Sequence, residues 1–170
     1  MSGPEFSRMV DCRQLRAQPV RIEADSEERA RLALRFGLEA IERLAAEVTL
    51  EREGQAVIAR GEFAAAIVQS CAVSGEPLPV TVAEPIALRF VPAAEAQRPD
   101  EEIELDSEDC DEIEYTGHSI DLGEAVAQSL ALAIDPYLEG PDAERVRADA
   151  GLLDQDGAGP FAALGALKKT

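Results

Sequence analysis

The chain has 170 residues, 46% of them hydrophobic, and a formal net charge of −18. This length and composition predict a folded protein with one core and exclude a globally disordered chain. A surface of this charge repels phosphate backbones, gives no broad electrostatic footprint for nucleic acid, and attracts basic proteins. No apolar run approaches the roughly 20 residues of a membrane-spanning helix, and no signal peptide opens the chain. We therefore expect a cytoplasmic protein without a membrane partner.

The residue types that most often carry catalysis are scarce. The cysteines are Cys12, Cys71 and Cys110, and His118 is the single histidine. An odd number of cysteines without a C-x-x-C pair indicates reduced thiols in a cytosol, and a structural zinc site needs about four ligands. We predict no metal and no other cofactor. A nucleophile–base pair of His118 with Cys71 or Ser119 stays open, but no spacing supports it, so we expect a non-enzymatic protein.

The N-terminal part predicts two short strands and a helix. The strand candidates are residues 6–10 and 19–24, and the second alternates in polarity. Asp25 or Ser26 is a typical N-cap, two glutamates follow in the first turn, and Gly37 is a typical stop. The helix therefore spans about residues 26–36, with its arginines directed mostly to solvent.

Residues 41–91 have the pattern of β-structure. Three strand candidates, 41–52, 56–71 and 78–91, are joined by short turns. Consecutive strands with short turns predict an antiparallel meander rather than a parallel sheet. Gly61 marks either a bulge or a close backbone approach, and Glu84–Pro85 indicates either an edge strand or a bend.

An acidic run follows a linker at 92–99. Ten of the fifteen residues from 100 to 114 are carboxylates, and apolar residues alternate with acids at both ends of the run. That spacing is typical of a strand with one apolar and one acidic face. Two interpretations stay open: a solvated surface, or a docking surface for a cationic partner. The candidate partner-binding residues are Asp106, Glu108, Asp109, Asp111, Glu112 and Glu114.

The remaining residues predict a second helix over about 121–135. Asp121 and Glu124 resemble a capping box, an apolar stripe follows, and Pro136 ends the helix. We expect the stripe to pack against the meander rather than to serve as a docking site. A weaker helix is predicted over 142–150.

Together these elements predict an α+β fold, in which an antiparallel sheet packs against two main helices and a short helical tail closes the chain. The sheet is either open or barrel-like. The chain reads as a single domain over 1–170. Its segments are 6–91, with the N-terminal strands, first helix and meander; 92–114, with the linker and acidic run; 115–136, with a strand and the second helix; and the tail 137–170.

Four segments, in order, carry a family resemblance. Residues 67–78 form a strand–Cys–turn–Pro segment, and the acidic run leads into Ile-Asp-Leu at 120–122. A Leu-rich helix ends in proline at 130–136, and the tail at 160–169 reads Pro-Phe-Ala-Ala-Leu-Gly-Ala-Leu-Lys-Lys. Their order and spacing resemble the bacterial YceD proteins, also called large ribosomal RNA subunit accumulation proteins. The positions that match the family's motifs are Cys71, Pro77, Asp121, Pro160, Phe161 and Leu164.

The likeness covers the chain from about residue 6, and its acidity and Arg-rich first helix resemble alphaproteobacterial members. Many members carry a second cysteine three residues before the position of Cys71, where this chain has Val68. Some also carry paired cysteines after the Leu-rich helix, and residues 137–159 contain none. Whatever metal site those members form, we expect this chain to lack it.

The resemblance implies a cytoplasmic, non-enzymatic factor that supports large-subunit ribosomal RNA accumulation and ribosome biogenesis. Genes of this family commonly sit beside the gene for a small basic ribosomal protein. The charge pattern adds a hypothesis: the acidic surface holds a basic ribosomal protein or a basic assembly factor before it meets rRNA. In this hypothesis rRNA is an indirect partner. The alternative is direct RNA binding through an arginine patch, with candidates Arg29, Arg31, Arg35 and Arg43.

Overall fold

The structure is a computed structural model that describes residues 4–93 and 111–151. Within these residues the chain forms strands and helices in the α+β arrangement that the sequence predicts. The strands are β1 (Met9–Asp11), β2 (Val20–Glu23), β3 (Ala40–Glu53), β4 (Ala56–Ser70), β5 (Pro77–Pro92), β6 (Asp111–Tyr115) and β7 (Ser119–Asp121). The helices are α1 (Ser26–Phe36), α2 (Leu122–Ala133) and α3 (Ala143–Asp149).

Five strands form an open sheet in the order β2-β3-β4-β5-β6. β2 and β4 both pair antiparallel with β3, but β6 runs parallel to β5. The sheet predicted around residues 41–91 therefore gains a parallel edge strand, β6, that the sequence analysis did not assign to it. A parallel pair needs a long connection, and 18 residues separate the end of β5 from the start of β6. Of the two N-terminal strands, only β2 joins this sheet. β1 pairs with β7 in a separate two-stranded sheet.

The ends of α1 follow directly from its sequence. The Asp25 side chain accepts hydrogen bonds from the backbone N–H groups of Glu27 and Glu28, and the Glu28 carboxylate accepts from the backbone N–H of Asp25. This reciprocal capping box satisfies donors that the first turn leaves without helical partners. Gly37 ends the helix with φ 66°, in the left-handed region that favours glycine.

The structure decides between the alternatives that the sequence left open at Gly61 and describes the surroundings of Pro85. A Cβ on Gly61 would lie 2.0 Å from the carbonyl oxygen of Glu47, so the close-approach alternative is confirmed. The irregular register lies instead between Ile41 and Arg43 on β3. Pro85 lies inside β5, but β6 pairs with β5 only from Leu88 onward. Pro85 has no backbone N–H, but because it lies before the paired residues it removes no hydrogen bond to β6.

The core lies on one face of the sheet. Alternate residues of β3 are buried from Leu44 to Leu50, and the stripe of α2 packs into the same cluster, with Leu122, Val126 and Leu130 fully buried. The prediction that this stripe packs against the sheet is confirmed. Burial of these apolar side chains is the main favourable contribution to folding.

The described residues fall into two compact units. One lies within Met1–Gln69 and Pro79–Ile134 and contains the sheet, α1 and α2; the other lies within Ser70–Leu78 and Asp135–Thr170 and contains α3. The buried hydrophobic cluster described above belongs to the first unit. None of the helices described is both long and apolar enough to cross a bilayer.

Candidate functional site

β6 carries the described part of the acidic run. Asp111, Glu112 and Glu114 are exposed, whereas Ile113 and Tyr115 are partly buried and pack against the core. The alternation predicted for residues 113–115 is confirmed as a strand with two unlike faces. The other predicted residues, Asp106, Glu108 and Asp109, lie outside the described residues.

One arginine partly balances the charge on this strand. Arg89 Nε lies 3.6 Å from the Glu112 carboxylate, and Arg89 Nη1 donates to Glu53 at 2.9 Å. Asp111 and Glu114 have no ion-pair partner among the described residues. The strand therefore presents more negative charge than its neighbours neutralise.

The arginines predicted for RNA binding are all engaged within the protein. Arg35 is held between two acids, with both terminal nitrogens on Glu124 at 2.8–2.9 Å and one on Glu5 at 3.1 Å. These carboxylates raise the pKa of Arg35. The other three also have acceptors within the protein: Arg29 donates to the Ala24 carbonyl at 2.7 Å, Arg31 donates to the Glu5 carbonyl at 3.2 Å, and Arg43 lies 3.7 Å from the Glu23 carboxylate. No bare guanidinium patch results from these four residues.

Asp121 joins three segments of the first unit. As the N-cap of α2, its Oδ1 accepts from the backbone N–H of Glu124 at 3.1 Å. The same carboxylate accepts from the backbone N–H of Arg8 at 2.8 Å and from the Ser7 hydroxyl at 2.6 Å. Only half of the predicted capping box forms, because the Glu124 side chain pairs with Arg35 instead. The family-motif aspartate thus ties the start of α2 to the N-terminal segment.

The N-terminal segment at 4–11 is fixed by further contacts that the sequence did not reveal. Arg8 makes two hydrogen bonds to the buried Glu28 carboxylate, at 2.6 and 2.9 Å, and lies over the ring of Phe6, which is completely buried. These bonds lower the pKa of Glu28. A Cβ on Gly123 would lie 2.8 Å from both the Arg8 nitrogen and the Phe6 carbonyl oxygen. Gly123 therefore lets this segment pass close to α2. The signal available in the sequence was a glycine in the first turn of the helix, two residues after the N-cap Asp121.

Cys71, in the second unit, sits in the turn that follows β4. It is buried, and its sulfur accepts backbone N–H groups of Val73 at 3.5 Å, Ser74 at 3.4 Å and Gly140 at 3.2 Å. Its own backbone donates to the Glu76 carbonyl, closing the turn. The Cys71 thiol therefore has a structural role, because it holds the turn after β4 and the segment around Gly140 together.

The same contacts favour the thiolate form of Cys71. Ser74 and the backbone N–H groups around the sulfur lower the thiol pKa to about 7. Hydrogen bonds to the charged form lower a pKa in this way. Among the residues that the structure describes, no three His, Cys, Asp or Glu side chains form a group that could hold a metal ion.

The other predicted residues contribute less to a site. Pro77 is the first residue of β5 and is exposed, and Pro160, Phe161 and Leu164 lie outside the described part of the chain. His118 is exposed in the turn between β6 and β7, where its carbonyl accepts the backbone N–H of Cys12.

Comparison of the sequence with known protein families gives a match over most of the chain. The family model described as large ribosomal RNA subunit accumulation protein YceD matches residues 59–168. The chain belongs to the YceD family. No curated protein and no solved structure matches it. The family description implies a role in the accumulation of the large-subunit ribosomal RNA, and in this YceD protein Cys71 and Asp121 both act as structural junctions.

Proposed function

We propose that this YceD protein supports large-subunit rRNA accumulation in the cytoplasm as a binding protein, by holding a basic ribosomal protein or a basic assembly factor. The observation that carries the proposal is the exposure of Asp111, Glu112 and Glu114 on an edge strand of the sheet. This strand directly continues the carboxylate-rich sequence 100–110. A dense row of carboxylates attracts a cationic protein by long-range electrostatics.

The physical properties of such a surface suit temporary holding. Individual exposed ion pairs contribute only about 0–1 kcal/mol, so the affinity depends on how many form and falls as salt rises. rRNA presents a far denser array of negative charge and competes for the same Lys and Arg side chains. A basic protein held in this way is shielded until it meets rRNA.

The arginine contacts favour this proposal over direct RNA binding. Arg35 already bonds to Glu124 and Glu5, and Arg43 lies beside Glu23. A phosphate would have to displace these carboxylates. The net charge of −18 adds long-range repulsion to that cost.

A pull-down at low ionic strength tests the proposal. The test variant neutralises the acidic site with Asn or Gln at Asp106, Glu108, Asp109, Asp111, Glu112 and Glu114. The matched control makes the same charge change with Gln at exposed acids elsewhere: Glu27, Glu42, Glu51, Glu62, Glu84 and Glu144. We expect wild type and control to retain a basic ribosomal protein or basic assembly factor that the test variant loses, and we expect high salt to release it.

Two results would contradict the proposal. Equal loss of the partner in both variants would make net charge, rather than this surface, the cause. Recovery of rRNA without a basic protein, abolished when Arg29 and Arg43 are replaced by Gln, would favour the direct RNA-binding alternative.

A further inference from the structure

Among the described strands, β6 forms one edge of the five-stranded sheet. β6 pairs with β5 on one side, and no strand among the described residues lies on the other. An edge strand presents unpaired N–H and C=O groups that can template a further strand. The opposite edge is better protected, because β2 has four residues and directly follows Pro19.

The two faces of β6 differ in chemistry. On one face Ile113 and Tyr115 pack against the core, and the Tyr115 hydroxyl donates to the Gln55 carbonyl at 2.9 Å. On the other face Glu112 and Glu114 are exposed. A strand added beside β6 would extend both rows, with one set of its side chains beside an apolar surface and the alternate set beside carboxylates.

We infer that the β6 edge accepts a strand in which Lys or Arg alternates with apolar residues, supplied by the basic partner; this inference rests on the proposed function. Cross-strand opposite charges stabilise a pair, and like charges directly opposite destabilise it. Pairing of two β6 edges would bring carboxylates together, so the edge disfavours a second copy and selects a cationic strand. Main-chain hydrogen bonds provide a general contribution to affinity, and alternate side chains provide the specificity.

Two synthetic peptides of equal composition test the inference on the full-length protein. In one, Lys and Val alternate; in the other, a block of Lys precedes a block of Val. Both carry the same charge, but only the first matches the two faces of β6. We expect the alternating peptide to slow hydrogen exchange of those backbone amides at 111–115 that point away from β5 by about tenfold or more, because new ladder bonds protect them. The block peptide should leave these amides unchanged.

A pair of protein variants separates the edge from general charge. Glu112→Gln with Glu114→Gln removes two carboxylates from β6, and Glu42→Gln with Glu51→Gln removes two exposed carboxylates from β3. Loss of two exposed ion pairs should weaken binding of the alternating peptide about tenfold at low ionic strength. The β3 variant should bind nearly as well as wild type.

The possible outcomes distinguish this inference from the proposed function. If both peptides bind equally and neither slows exchange at 111–115, strand addition is wrong while an acidic docking surface remains. If neither peptide binds at low ionic strength, the inference and the proposed holding function both fail. Selective protection of 111–115 by the alternating peptide supports both.

Discussion

Replacement of Asp121 by alanine should strongly destabilise the first unit. The change removes the N-cap of α2, which is worth about 1 kcal/mol. It also removes the acceptors for the Arg8 backbone N–H and the Ser7 hydroxyl. At about 1 kcal/mol for each partly buried hydrogen bond, the total loss is about 3 kcal/mol. Asp121→Asn keeps a good cap and one carbonyl acceptor, so we expect it to cost only about 1 kcal/mol.

Urea unfolding followed by circular dichroism measures both variants. With a slope of about 2 kcal/mol/M, the alanine variant should unfold at a urea concentration lower by about 1.5 M. Asp111→Ala is the matched control, since this exposed aspartate should change stability by less than about 0.5 kcal/mol. If Asp121→Ala behaved like this control, or if the Asn variant were as unstable as the Ala variant, the junction described for Asp121 would be refuted.

Three further outcomes follow from the structure. Gly123→Ala should lower the free energy of unfolding in urea by about 1–3 kcal/mol, because the new Cβ would clash with the Phe6 carbonyl oxygen. Alanine favours a helix that has no such neighbour, so unchanged or higher stability would contradict this contact. A thiolate absorbance step near 240 nm with a midpoint at about pH 7 should disappear in Cys71→Ser, and its persistence would assign the low pKa to another cysteine. The hydrogen bonds from Arg8 lower the pKa of Glu28. The ionised Glu28 carboxylate therefore stabilises the fold at pH values above the ordinary glutamate pKa, and this stabilisation is lost as the pH falls through the lowered pKa. The urea midpoint of Glu28→Gln should therefore depend less on pH below about 4.5 than that of wild type, and equal dependence would exclude the contribution.

The family matched to 59–168 could be recognised from the sequence because its motifs are local and keep their order. The structural role of each motif residue could not be recognised from the sequence. Asp121 reads as a simple helix cap, yet its carboxylate also binds the segment more than a hundred positions earlier in the chain. Cys71 reads as a strand-end thiol, yet one of its three donors is Gly140. Contacts between distant segments leave no periodic pattern in the sequence, because each partner alone is an ordinary polar or small residue.

The sequence alone determined the elements whose causes are local. Apolar alternation gave β3, β4 and β5 nearly to their ends, and the capping residues around Asp25 and Gly37 set the limits of α1. Tertiary structure alone decided that β6 runs parallel to β5, that β1 pairs with β7, and that Glu124 binds Arg35 instead of completing its capping box. The physical reason is range: capping and alternation act over a few residues, whereas strand partners and ion pairs are chosen only when burial of the core brings distant segments together.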